Sequence, residues 1–231
     1  TKTCENDDQK ENFEQIQDFL HCLQTKDRIS SVYQKQILAS IVKFYLLYYD
    51  RKLVLSMLYP KRKPKPLPKY LTAVEVKRLL QQCTNLKHSC ILRILYGCGL
   101  RVSEVIALKI ADIDSTAMRI HIRAAKAKKD RVVPLPQTLL QHLRQYYVSF
   151  QPKRYLFEGQ YSGKYTAKSI QSFIKKYAQK ANIQKSVTPH MLRHSYATHQ
   201  LENGVHISYV QELLGHNSIK TTELYTHLTK V

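Results

Sequence analysis

The chain has 231 residues, with 37 Lys and Arg against 17 Asp and Glu, a formal charge of +20, 16 Tyr and no Trp. That length and a hydrophobic fraction of 43% supply a packed core for one domain or two small ones, and exclude a disordered or collagen-like chain. No stretch approaches the roughly 18 unbroken apolar residues of a membrane-crossing helix.

Five cysteines without a Cys-x-x-Cys pair read as reduced thiols of a cytoplasmic protein, not as a zinc cluster or disulfide framework. No signal peptide opens the chain, and a start at Thr1 reads as that of an excerpt. The charge is unevenly spread. Residues 1–60 carry 8 basic and 8 acidic side chains, so residues 61–231 hold the whole excess. A field this positive suits a polyanion, nucleic acid foremost; the alternatives are a merely basic soluble protein or one that touches anionic lipid.

In chain order, Phe13, Ile16, Phe19, Leu20 and Leu23 recur at helical spacing, as do Ile37, Leu38, Ile41, Phe44, Tyr45 and Tyr48. They predict a small helical unit over 1–59, whose second helix, basic and Tyr-rich, faces the nucleic acid. Residues 60–69, Pro-Lys-Arg-Lys-Pro-Lys-Pro-Leu-Pro-Lys, form an extended proline-rich linker. It is either a solvated spacer or a basic strap that sets Lys61, Arg62, Lys63 and Lys65 along phosphates. The third segment is 70–231. Thr72 with Glu75 is a capping box that opens a helix running to about Gln82. A helix around 89–96 stops at Gly97-Cys-Gly99, and a short one restarts over 101–108. Residues 118–122 and 131–135 predict a hairpin, with Pro134 keeping its second strand at an edge. Beyond Leu139 the pattern is helical, with one short strand over 155–157. The fold class expected is mainly α with a small antiparallel β-sheet (α+β).

Four clusters carry chemistry. Thr188-Pro189 starts a helix that places His190 in its first turn, where a helix already attracts phosphate, and Arg193 three residues on along the same face. His190 and His194 are also spaced as metal ligands, but no third ligand accompanies them. Gly215 ends a helix just before His216, and Tyr225 follows nine residues later. As one tyrosine among 16, Tyr225 by itself has the profile of a core residue far more than of a nucleophile. Arg101 sits at a helix start just after Gly97 and Gly99, with Glu104 spaced to orient it. Lys126, Lys128, Lys129 and Arg131 crowd the hairpin turn, which alone is a solvated basic loop. Two arginines, a lysine, two histidines and a tyrosine suit one task. Attack on a phosphodiester builds charge that guanidinium groups stabilise, and a tyrosine can hold the phosphate covalently.

These residues resemble, in order, the motifs of the tyrosine recombinase (phage integrase, Xer-like) family. The resemblance covers 71–228: Gly-Cys-Gly-Leu-Arg101-Val-Ser-Glu, a hairpin motif ending Arg131-Val-Val-Pro-Leu, His190-Met-Leu-Arg193, Leu-Gly-His216 and Tyr225. It implies a nucleophile at Tyr225, catalytic arginines at Arg101 and Arg193 aided by His216, a His190 that positions the phosphate or accepts the tyrosine proton, and support from Glu104. Alignment on the hairpin motif puts the catalytic lysine at Lys126, with Lys128 the second candidate because alanines stand where the family has glycines. The activity implied is cleavage and rejoining of DNA through a 3′-phosphotyrosine, with no cofactor and no metal. Lys61, Arg62, Lys63, Lys65, Lys128, Lys129 and Arg131 would contact DNA.

The N-terminal unit would be the family's helical core-binding (SAM-like) domain, short by a helix. Six residues follow Tyr225, where relatives carry a helix that docks on a neighbour. The partners implied are double-stranded DNA and, on paired sites, a homo-tetramer, with a monomer or dimer on single sites. The integrase of a mobile element is the first reading. A Xer-type chromosome-dimer resolvase, a nicking-closing enzyme without a defined site and an idle DNA-binding module are the alternatives.

Overall fold

In the computed structural model, residues 2–60, 68–123, 130–160 and 163–215, with Thr222 and Tyr225, are described, the side chains of residues 2–12 excepted. They fall into two compact units, Thr1–Lys65 and Pro66–Val231.

The first unit pairs α1 (Lys2–Lys26) with α2 (Ser31–Tyr49) and adds a single 3-10 turn, Ser56–Leu58. Ser30 caps α2 by accepting from the Tyr33 amide at 3.2 Å. The seam holds Ile16, Leu20, Leu38 and Leu55, flanked by Phe13, Ile37, Ile41, Val42, Leu53 and Leu58. Gln34 Nε2 ties the turn down by donating to the Leu58 carbonyl at 3.0 Å. Two helices share only one stripe, so part of the expected apolar face stays outside. Phe19 is 51% exposed, and Phe44 and Tyr48 stack on each other in solvent with centroids 5.5 Å apart.

The second unit is mainly α, around a small antiparallel sheet. Its helices are α3 (Ala73–Gln81), α4 (Leu86–Gly97), α5 (Val102–Ala107), α6 (Gln137–Phe150), α7 (Ala167–Lys180), α8 (Pro189–Glu202) and α9 (Ile207–Leu214). The capping box before α3 forms as expected: Glu75 N donates to Thr72 Oγ1, and Thr72 N to the Glu75 carboxylate. Lys185 then holds that carboxylate at 2.7 Å. Helix α4 starts three residues before the expected point because Asn85 caps it, accepting from the His88 amide. It is the central helix, buried through Ile91, Leu92, Ile94 and Leu95.

The strands are β1 (Ile113–Asp114), β2 (Arg119–Ile122) and β3 (Arg131–Pro134), antiparallel in that order. Ile120 opposes Val133, and Pro134 sits on an edge strand opposite Arg119. Ile120, Ile122 and Val133 face the core, while their neighbours along each strand are more open, as period-two alternation requires. Residues 155–157 are not a strand. Tyr155 makes one bridge to Lys109, and Leu156 and Phe157 bury their side chains with no neighbouring strand to extend the pairing.

Gly99 is the tightest point in this packing. Its φ is +61°, and a Cβ there would overlap the Tyr196 ring and come within 3.1 Å of Leu214. Gly99→Ala should therefore lower stability by about 3 kcal/mol, combining left-handed strain with overpacking. Thermal melting should show this as a drop of roughly 8 °C. An unchanged melting point would mean that Tyr196 yields freely.

Candidate active site

The turn after α4 brings the first arginine into place. Arg101 precedes α5, and Glu104, in the first turn of that helix, folds its carboxylate back onto it. Arg101 N donates to Glu104 Oε2 at 2.7 Å and Arg101 Nη1 to Oε1 at 2.8 Å. A carboxylate near a helix N-terminus also meets the positive end of the dipole. Arg101 Nη2 reaches the Gly215 carbonyl at 3.2 Å, and a quarter of the side chain stays open to solvent.

Arg131, the first residue of β3, meets the same carboxylate from the other side. Its Nη1 and Nη2 each lie 2.8 Å from one Glu104 oxygen, a bidentate pair, and Nε donates to the Leu213 carbonyl at 2.8 Å. The sequence set Arg131 among the DNA-contacting residues. Here its guanidinium is committed inside the protein, with only 11% of the side chain exposed. Gly215 makes room for it. That residue ends α9 in the left-handed region at φ +62°, and a Cβ there would stand 3.1–3.3 Å from the Arg131 side chain.

Arg193 comes from α8. Thr188 caps this helix by accepting from the Met191 amide at 3.2 Å, and Pro189 pre-sets its first turn. Arg193 is 3% exposed; Nη1 donates to the Gly99 carbonyl at 2.6 Å and Nη2 to the Leu214 carbonyl. Its Nη1 is also 3.9 Å from Glu104. Three guanidinium groups thus surround one carboxylate. A planar guanidinium has five N–H donors, and of the three Arg101 keeps the largest share of its side chain open to a phosphate oxygen.

Tyr225 completes the cluster. It is helical, 2% exposed, and its hydroxyl lies 2.7 Å from His194 Nδ1. His194, half-buried, is the residue that sequence reasoning missed as a partner of Tyr225; its spacing had suggested only a metal. The local signal was its place directly after Arg193, but the contact spans 31 residues. His190, on the same helix, is exposed, with its ring 6.4 Å from that of His194. Lys126, Lys128 and Lys129, the linker residues Lys61, Arg62, Lys63 and Lys65, and His216 lie outside the described residues.

The charges act on each other. Burial alone would raise the Glu104 pKa, but hydrogen bonds from Arg131 and Arg101 outweigh it and bring it down to about 2. Arg193 is lowered to about 10 by burial and by repulsion from Arg101, and stays charged at neutral pH. Burial raises the Tyr225 phenol above its ordinary value, against the pull of the Arg193 and Arg101 charges. A protonated phenol therefore sits within the field of two cations.

Comparisons with known proteins identify the family. Residues 69–231 match the model of the phage integrase family. The tyrosine recombinase XerA of Pyrococcus horikoshii is 44% identical over 170 residues, covering 72% of this chain and 59% of that protein. The chain thus spans about three-fifths of the length of that relative. A crystal structure of XerA recombinase superposes with a TM-score of 0.67 at 32% identity, covering 94% of this chain and 79% of the other. A XerH site-specific recombinase, solved on its palindromic difH substrate in a post-cleavage complex, gives 0.65 at 26% identity over 71% of this chain and 51% of that one.

Proposed function

The chain belongs to the phage integrase family, and from that premise we propose that it is a site-specific DNA recombinase that cleaves and rejoins strands through a 3′-phosphotyrosine. The observation that carries this reading is the buried Tyr225 phenol within the field of Arg193 and Arg101, both anchored around Glu104. A phenol so placed is within the field that would hold a phosphate for its attack.

Tyr225 Oη bonds to the scissile phosphorus and the bond to the 5′-oxygen breaks. Lys126 protonates the leaving oxygen, while Arg101 and Arg193, aided by His216, take up the charge on the non-bridging oxygens. His190 positions the phosphate or accepts the Tyr225 proton. The phosphotyrosine conserves the bond energy, so a partner strand's 5′-hydroxyl can reseal it. Guanidinium groups supply the charge stabilisation, so this route calls on no metal and no cofactor.

Double-stranded DNA is the partner, and the excess charge of residues 61–231 makes phosphate contacts the main source of affinity. Lys61, Arg62, Lys63, Lys65, Lys128 and Lys129 are the contacts proposed. Paired sites would hold four copies and single sites one or two, in the cytoplasm. Among the described residues no helix is long and apolar enough to cross a membrane. Integration or excision of a mobile element is the biological role proposed. The similarity to XerA favours a second, chromosome-dimer resolution, which a requirement for two identical sites and host accessory proteins would reveal.

Covalent trapping tests the function. The chain is incubated with a random duplex library carrying nicks, denatured in detergent, and both the attached DNA and the modified peptide are sequenced. An adduct of a 3′-phosphate on the peptide with Tyr225 is expected, with binding that weakens steeply with salt. An adduct on another residue would overturn the nucleophile, and a flat salt response the phosphate-driven binding.

Arg131 gives a sharper test of the site. Because its guanidinium is spent on Glu104 and Leu213, Arg131→Met should leave duplex affinity within about twofold while slowing single-turnover cleavage by about tenfold or more. Loss of affinity with unchanged cleavage at saturating DNA would return Arg131 to the phosphate contacts.

A further inference from the structure

One titratable group in contact with the nucleophile has no part in the reaction outlined above. His194 follows Arg193 on α8 and places Nδ1 2.7 Å from the Tyr225 hydroxyl. The rings are tilted at 49° with centroids 5.4 Å apart, so the edge of the imidazole meets the oxygen and the two do not stack. Resting on the recombinase reading, we propose that His194 is the general base that takes the Tyr225 proton in cleavage and the general acid that returns it in rejoining.

Geometry is the first support. A base must lie within about 2.6–3.2 Å of the atom whose proton it removes, and His194 Nδ1 meets that condition before any substrate arrives. His190, the histidine of the His-x-x-Arg pair, is exposed and a full ring-to-ring step away. It is free to serve the phosphate while His194 serves the tyrosine.

Protonation is the second support. Among the described residues, the groups that face His194 are His190 and Arg193 from its own helix and Tyr225 from the C-terminal segment. Burial first, then the charges of His190 and Arg193, hold its imidazole below the ordinary histidine value. At neutral pH it is therefore neutral, and the tautomer protonated at Nε2 leaves an acceptor lone pair at Nδ1. Tyr225, raised by its own burial, will not give up its proton to water without help.

The balance is complete. As Tyr225 Oη bonds to phosphorus, its proton passes to His194 Nδ1; as the bond to the 5′-oxygen breaks, that oxygen takes a proton from Lys126. In rejoining, the 5′-hydroxyl attacks, the bond from phosphorus to Oη breaks, and the imidazolium protonates the departing phenolate. The neighbours that keep His194 neutral also make its imidazolium a strong acid, which favours that return.

Cleavage needs neutral His194, so its rate should be level around neutral pH and fall about tenfold per unit once pH drops below the lowered value.

The test uses duplexes recovered by trapping and measures single-turnover cleavage. His194→Asn keeps a side-chain hydrogen-bonding group near the position of Nδ1 but cannot accept a proton. It should slow cleavage by about 100-fold or more, keep duplex affinity and melting temperature, and lose the acid limb of the pH profile. His194→Ala should be slow too, and added imidazole should restore it in proportion to the neutral imidazole present. A role confined to holding the tyrosine predicts the opposite: His194→Asn within threefold of the parent, an acid limb that remains, and no rescue. Any of these overturns the proposal. The parent run in parallel separates the two levels. If it forms the Tyr225 adduct and His194→Asn is equally fast, only the role of His194 falls. If the parent forms no adduct with any duplex, the recombinase reading falls, and this assignment with it.

Discussion

Tyr225→Phe should bind duplex DNA as tightly as the parent and form no covalent adduct. The substitution removes one oxygen and keeps the ring, which is where the packing lies, since the side chain is 2% exposed. The cost to folding is the hydrogen bond to His194, about 1 kcal/mol. Affinity rests on cations elsewhere and should not change. Chemistry, in contrast, has no substitute atom, so the expected loss is complete. Gel mobility of the native complex and detergent-resistant DNA attachment, measured on one sample, check both halves. An adduct on the Phe variant would pass the role to another tyrosine, and two others lie close in sequence. Tyr196 is buried against Gly99, with its phenol held well above the ordinary value by that burial. Tyr209 is half exposed on α9 and would be the first to try.

The elements that the chain announces locally are the ones the structure places as expected. Thr72 and Glu75 satisfy each other's backbone within four residues, and the alternation of β2 and β3 is visible because each buries one face. What escaped was short or distant. Strand β1 has two residues, too few for any period to show, and Asn85 hid the start of α4 because a lone capping residue resembles a loop residue.

At the site, resemblance to family motifs singled out Arg101, Glu104, Arg193 and Tyr225 among others; the fold sets the two arginines around the Glu104 carboxylate and Tyr225 within their field. The contacts that give the rest of the site its form cross long separations. Arg131 meets Glu104 over 27 residues, and His194 meets Tyr225 over 31. No periodicity reports such pairs, so Arg131 read as a surface cation beside three lysines and His194 as half of a metal pair.

Glu104→Gln is the substitution with the broadest expected effect, because that carboxylate is the only anion facing Arg101, Arg131 and Arg193 in the described cluster. Gln keeps the shape, loses the charge and turns an amide nitrogen towards a guanidinium. Two well-buried arginines would then lack compensation, which costs about 3–5 kcal/mol and roughly 10 °C in melting temperature for a protein of this size. Acidity offers an independent check. The Glu104 pKa is about 2 in the folded state, against about 4.3 for an unfolded glutamate. Its stabilising effect is therefore fully present above the unfolded value and is lost as pH falls from about 4 towards 2, a change of about 3 kcal/mol. Other carboxylates titrate over the same range, so the quantity to measure is the difference between parent and variant, by urea melts at pH 7 and pH 3. That difference should be large at pH 7 and shrink in acid. Cleavage should fall further than stability explains, because Arg101 and Arg193 would lose the anchor that fixes their donors; about 100-fold or more is expected in folded protein at 25 °C. A variant as stable as the parent at both pH values would mean that the backbone carbonyls of Gly99, Leu213, Leu214 and Gly215 suffice to hold the three arginines, and that the site is built on its peptide groups and not on its carboxylate.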